Sequence, residues 1–140
     1  MLYLTPWVPF LLGWALLVAT EEFREVALIK GVAQGVLFAA VVCIPAWRTG
    51  RMSYVDIGWP CGLVVIGGIS FVFLEGDPWR LAAVSAVYVL VGARMGGGAL
   101  ALWRAGHLEA ELPRYQYQRL RWERAGKTNQ ALALQVEAIV

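Results

Sequence analysis

The chain is a succession of apolar runs, each long enough to cross a bilayer and each parted from the next by a few polar residues. Inside a bilayer no water meets backbone N–H and C=O groups, so a spanning segment must satisfy them internally, as an α-helix does. A helix rises about 1.5 Å per residue and needs roughly 17–25 residues to cross. Runs of that length occupy residues 2–20, 27–47, 54–74 and 81–103. The breaks between them are Glu21-Glu22-Phe23-Arg24-Glu25, Arg48-Thr49-Gly50-Arg51 and Glu75-Gly76-Asp77-Pro78. Hydrophobic residues make up 59% of the chain and charged residues 16%, against roughly 45–50% and about 25% in soluble domains. The expected fold is an all-α, polytopic membrane helical bundle with four transmembrane helices. Met1 to Ala19 lacks the basic n-region of a secretory signal and reads as the first of them. Trp47, Trp79 and Trp103 stand at span ends, where amphipathic rings favour the interface.

Past Trp103 the character changes. Residues 104–128 carry Arg114, Arg119, Arg121, Arg124 and Lys127, with Tyr115, Leu120 and Trp122 giving a partly apolar side. This segment is expected to lie along the membrane surface. Residues 129–140 turn apolar again, too short to cross alone, and read as the start of a truncated fifth helix. The expected organisation is thus 1–103, 104–128 and 129–140. Lys and Arg collect on cytoplasmic loops. Arg48, Arg51, Arg104 and the basic residues of the 104–128 segment fall on one side of a four-span topology, while only Arg24, Lys30 and Arg80 fall on the other. The expectation is a multi-pass protein of the inner (cytoplasmic) membrane with a cytoplasmic N-terminus.

Besides Lys30, two charges interrupt the spans. Arg94 lies within an apolar run, where a charge is costly unless paired. Asp56 lies near the start of the preceding run, about 3 Å deep, with Arg94 roughly 13 Å deep from the same side. An Asp56–Arg94 contact is geometrically possible. Two readings stand: a polar pocket for an anionic or polar ligand, or a structural ion pair between two helices. Pro60 is expected to bend the helix just after Asp56 and free backbone groups there. Lys30 can snorkel to the far interface, and Gln34 is expected to bond to a neighbouring helix.

Other chemistry is thinly represented. His107 is the single histidine, with no Cys/His/Asp cluster around it, so no metal site is expected. Cys43 and Cys61 fall inside apolar spans and read as packing residues. No Walker loop, Gly-x-Ser-x-Gly or Ser/His/Asp set is present; Ser53, Ser70 and Ser85 are expected to cap or pack. Gly31/Gly35, Gly58/Gly62 and Gly92/Gly96 stand four apart, a spacing that lets membrane helices approach closely. The triplet Gly96-Gly97-Gly98 follows no strand and is not a dinucleotide fingerprint. No basic patch of the kind that binds nucleic acid stands out.

Two stretches taken together resemble a known family. They are Ser53-Tyr54-Val55-Asp56-Ile57-Gly58-Trp59, and Gly92-Ala93-Arg94-Met95 followed by Arg104, Pro113-Arg114-Tyr115 and Arg121-Trp122. Both are similar to a bacterial membrane family related to steroid 5-alpha-reductases, with Gln135 where a family Gln opens the next span. The pattern covers roughly residues 51–135. Leu112 stands where the family has Asp, and Met95 where it has Leu. The resemblance implies a helical membrane fold with a cytoplasm-facing pocket holding NADPH beside a lipid-like enone. It also implies Asp56, Trp59, Arg94, Arg114 and Tyr115 as the cofactor-binding positions. Most of the family's cofactor residues belong to a C-terminal half without a counterpart here, so the chain is expected to be incomplete as a reductase. The alternative is a non-enzymatic transmembrane subunit packed within a larger membrane complex, its partners being the bilayer and another membrane chain. A small transporter component is a third, with few buried polar groups to form a path.

Overall fold

The computed structural model describes residues 7–126 and 129–139. In chain order come α1 (Trp7–Ala19), α2 (Glu21–Phe38), a π turn (Ala39–Cys43), α3 (Ile44–Thr49), α4 (Val55–Phe73), α5 (Pro78–Arg104), α6 (Pro113–Arg124) and α7 (Gln130–Ile139). Among the described residues there is no strand, so the all-α class stands.

Three helical rods are long and apolar enough to cross a membrane: Glu21–Thr49, Val55–Phe73 and Pro78–Arg104. Four were expected. The described part of the first run is the 13-residue α1, short of the roughly 17 residues a crossing needs; residues 2–6 of that run lie outside the described residues. α1 folds back on α2. The Trp14 indole N–H donates to the Ala27 carbonyl at 3.2 Å, and Arg24 Nε donates to the Val18 carbonyl at 3.0 Å. The acidic run at 21–25 is not a break either. It forms the first turns of the Glu21–Thr49 rod, where Glu21 and Glu22 complement the positive end of the helix dipole.

That rod reaches 29 residues by absorbing a proline. Pro45 has no N–H, so the carbonyl four residues back loses its ordinary partner. The chain widens into the π turn just before it, and the Ile44 N–H reaches back five residues to the Ala39 carbonyl. The rod stops at Gly50, whose φ of 69° is a left-handed conformation that glycine adopts without strain.

Close approach of α4 and α5 rests on glycine. A Cβ placed on Gly92 would lie 2.6 Å from the Pro60 carbonyl oxygen and 2.8 Å from Val64 Cγ2, and one on Gly67 would lie 2.9 Å from Tyr88 Cβ. Gly58 and Gly62 lie against α2 and the π turn, under Val42 and Gln34, and Gly31 lies under Trp14. Gly35 departs from the expectation of packing: nothing lies within 4 Å of a Cβ there.

Away from the helix seams the rods present apolar side chains outward, among them Leu90, Val32 and Phe71. At one end they converge on two small cores. Ala46, Met52, Trp122, Ala133 and Leu134 form the first, with Tyr115 packed on it. Ile57, Ala99 and Leu108 form the second, with Val41, Cys61 and Leu112 alongside. The 104–128 segment therefore does not rest its whole apolar side on the membrane surface. Trp122 is 2% exposed, with Tyr115 half-buried; Leu120 and Tyr117 stay exposed. α7 packs Ala133 and Leu134 onto the same core, and Gln135 donates to the Cys43 carbonyl at 3.2 Å. At ten residues it is too short to cross a bilayer.

Candidate functional site

The polar groups of the chain gather where the α3–α4 connection meets α6. The connection is short because Gly50 ends one rod and α4 starts at Val55, which brings Arg51, Met52 and Ser53 under the segment leading into α6. Proline at position 113 opens α6 without losing a useful N–H, and its first turn places Arg114 and Tyr115 over the start of α4.

Two carboxylates organise this end. Asp56, in the first turn of α4, accepts a hydrogen bond from the Tyr115 hydroxyl at 2.9 Å and forms an ion pair with the Arg114 guanidinium. That guanidinium also stacks 4.8 Å from the centre of the Tyr115 ring. Burial pushes the Tyr115 phenol well above its ordinary value, and the neighbouring Asp56 carboxylate adds to the rise. Burial pulls the Arg114 guanidinium the other way, but Tyr115 and Asp56 outweigh it and hold its pKa above the ordinary value.

Glu111 is the second carboxylate. It accepts from the Met52 N–H at 3.1 and 3.0 Å through its two oxygens and from the Ser53 hydroxyl at 2.9 Å, and pairs with Arg119 at 3.2 Å. Arg119 also donates to the Gly50 carbonyl, and Arg51 donates to the Leu108 carbonyl at 3.0 Å. Chemically the result is a clamp. Both carboxylates are charge-neutralised and hydrogen-bonded, and Ser53, 1% exposed, is held rather than activated. Among the described residues no group of three His, Cys, Asp or Glu could hold a metal ion.

The five residues implied as cofactor-binding are divided by this geometry. Asp56, Arg114 and Tyr115 meet. Trp59, one turn further along α4, is half exposed and meets Phe38 edge-on, ring centres 6.4 Å apart at 82°. Arg94 is elsewhere, on the exposed side of α5, and no described residue offers it a hydrogen bond or ion pair. The Asp56–Arg94 contact that depth made possible is not formed: Asp56 is taken by α6.

Trp59 leads to the other notable feature, a cleft of about 620 Å³ between α1, α2 and α4. Its walls include Trp14, Phe38, Trp59, Leu63 and Gly35, with Gln34 as the polar side chain. The Gln34 amide nitrogen donates to the Gly62 carbonyl at 2.9 Å, bonding to a neighbouring helix as expected. Its amide oxygen accepts from none of the described residues.

Sequence reasoning missed Glu111, the centre of the clamp, and the pairing role of Arg119. A signal existed: Leu112 stands where an acid was expected, and Glu111 is the acid beside it. Leu112 itself packs onto the second core.

A nicotinamide dinucleotide needs unengaged cations for its phosphates. Here Arg114 and Arg119 are held by Asp56 and Glu111, and Arg94 lies apart. The positions implied as cofactor-binding do not converge on a phosphate in this arrangement, and no reaction step is derived through the cofactor. Comparison with protein-family models, with curated proteins and with solved structures finds no match.

Proposed function

We propose that this is an integral membrane protein that holds a lipid-like molecule in the cleft between α1, α2 and α4. The observation that carries the reading is the cleft itself. It has about 620 Å³ of space, aromatic and aliphatic walls, those of α2 and α4 on rods of spanning length, and one amide. Ligand sites are commonly of this size, mostly apolar, with few polar groups to fix orientation. The Gln34 amide oxygen is an acceptor at that level, so it suits a ligand bearing a hydroxyl. The resemblance to steroid 5-alpha-reductases supports the ligand class, since it implies a lipid-like substrate; Trp59, which it implies as a cofactor-binding position, lines the cleft. Reduction would further require Arg114 to leave Asp56 for a phosphate.

Tryptophan quenching by a brominated long-chain alcohol tests the cleft reading in detergent. Saturable quenching is expected in the parent protein and its loss in Gly35→Phe, which fills the cleft from a position with free space. Equal, non-saturating quenching in both would overturn the reading.

A second reading, a transmembrane subunit of a larger complex, is favoured by the outward-facing Arg94. The cytoplasmic side is assigned to the clamp end on the Lys/Arg bias.

A further inference from the structure

We infer that the face of α5 centred on Arg94 is the docking surface for a transmembrane helix of another chain, and that this helix carries a carboxylate that pairs with Arg94. The inference rests on the subunit reading and goes beyond it by naming the surface and the partner's chemistry.

Arg94 has no hydrogen-bond or ion-pair partner among the described residues. It sits ten residues before the end of α5 and sixteen after its start, about 15 Å and about 24 Å along the axis. That is deep within a rod long enough to cross a membrane. A charge at such depth is expensive facing lipid and is normally met by an opposite charge or a polar cavity. None of the described residues supplies one. Snorkelling gives little relief. The nearer rim lies toward the C-terminal end of α5, whereas Cα–Cβ bonds in a helix tilt toward its N-terminus. The side chain thus starts out pointing toward the middle of the rod.

The surroundings of Arg94 are shaped for a helix rather than for lipid headgroups. At about 100° per residue, Val87, Leu90, Gly97, Gly98 and Ala101 share its face. All are exposed. Gly97 and Gly98 have nothing within 4 Å of where a Cβ would stand. The glycines that seat α5 on α4, Gly92 and Gly96, face the opposite way. The face around Arg94 is thus low and apolar, with a cation set among small residues, where another backbone can come close. Charge complementarity then selects an acid. A second copy does not provide it. Among the described residues, the carboxylates of the spanning rods are Glu21, Glu22 and Glu25 in the first five residues of Glu21–Thr49, and Asp56 in the first turn of α4, already paired; none lies at the depth of Arg94.

The test uses the whole chain in its native membranes, extracted in mild detergent. The parent and Arg94→Lys are expected to migrate in a complex larger than the chain alone. Arg94→Leu and Gly97→Leu are expected to reduce that fraction roughly tenfold or more. Purified alone, both leucine variants should melt no lower than the parent, because Arg94 has no hydrogen bond or ion pair to lose among the described residues and Gly97 has open space beside it. A photoreactive phenylalanine analogue at Ala101 should label a peptide of a different chain that is apolar and has Asp or Glu within one helical turn of the adduct. The inference falls if Arg94→Leu keeps the complex or if its purified form is markedly less stable. It falls equally if the adduct is a phospholipid, a second copy of this chain or a helix without an acid. Absence of any larger complex in the parent overturns the subunit reading as well, whereas a complex that persists in Arg94→Leu removes the inference alone.

Discussion

Asp56 and Glu111 do similar work in unequal surroundings, and the inequality orders their variants. Arg114 is 60% exposed in its side chain, so its ion pair with Asp56 is screened by water and is worth less than about 1 kcal/mol. Glu111 is 12% exposed and serves a buried hydroxyl and a backbone N–H as well as Arg119. Removing it strands those donors, at roughly 1–3 kcal/mol for an unsatisfied buried group. Glu111→Ala is therefore expected to lower thermal stability in detergent more than Arg114→Ala does; the reverse order in melting temperature would refute this account of the clamp. Tyr115 gives a pH signature. Its folded-state pKa is raised above the ordinary 10.0, so the neutral phenol is favoured by folding. Its contribution is complete below pH ~10 and is lost as pH climbs past that value, because the unfolded chain then releases a proton that the folded one retains. Melting curves of the parent should fall more steeply between about pH 9 and 11 than those of Tyr115→Phe; parallel curves would remove the assignment. The residues of this end were partly legible. Asp56, Arg114 and Tyr115 stood out together through short motifs, but their mutual pairing did not, because it depends on how α6 folds back. Arg94 was paired with Asp56 on depth alone. Depth ignores azimuth: Gly92 and Gly96 seat α5 on α4, and Arg94, two residues from each, lies about 200° round the helix. That much could have been read from the sequence.

The seam between α4 and α5 is the element-scale feature that spacing made visible. Gly92 and Gly96 lie at it as the four-residue interval implied, while Gly67 came from none of the three expected pairs and Gly35 opens onto the cleft instead. Spacing marks a permissive stripe but does not tell which neighbour arrives. Gly92→Ala is expected to destabilise by about 1–3 kcal/mol, since the added methyl meets the rigid Pro60 carbonyl and Val64 rather than a movable side-chain end. Gly98→Ala, in open space, is expected to be neutral or stabilising by up to about 1 kcal/mol through helix propensity. Thermal melts of the two purified variants check the pair, and equal losses would show that the α4–α5 contact is not as close as described. The boundaries of the Glu21–Thr49 rod were harder to foresee. The Glu-rich run at 21–25 resembles a loop by composition yet caps a helix by charge. Pro45, an ordinary helix breaker, is carried through by the π turn.

At the scale of the molecule, the clamp restrains what the chain can bind. Arg114 and Arg119 are engaged by Asp56 and Glu111, so a phosphate drawn to either has to displace a carboxylate. Calorimetric titration of the purified chain with NADPH is expected to give a dissociation constant weaker than about 1 μM, the equivalent of ~8.2 kcal/mol. Tighter binding would establish a cofactor site here and restore the reductase reading. The same clamp fixes part of the topology by itself. Glu111, Arg114 and Arg119 bind residues 50–56, so the basic α6 and the Arg48/Arg51 connection sit at one end of the bundle whichever way it is inserted. Hydropathy had placed them together through the count of spans. Side-chain contacts now do so without relying on α1, whose described length does not settle a crossing. The opposite end holds the tight turn where Asp77 accepts from the Arg80 N–H at 2.9 Å and starts α5. If basic segments stay cytoplasmic, that turn faces the other side of the membrane. A cysteine at exposed Glu75, with Cys43 and Cys61 replaced by alanine, should react with an impermeant thiol reagent from outside sealed cells. A cysteine at exposed Gln116 should react only after the membrane is opened. Reaction of Glu75→Cys from the cytoplasmic side alone would invert the orientation. Reaction of both positions from the same side would break the paired-end architecture, because α4 and α5 would then fail to cross.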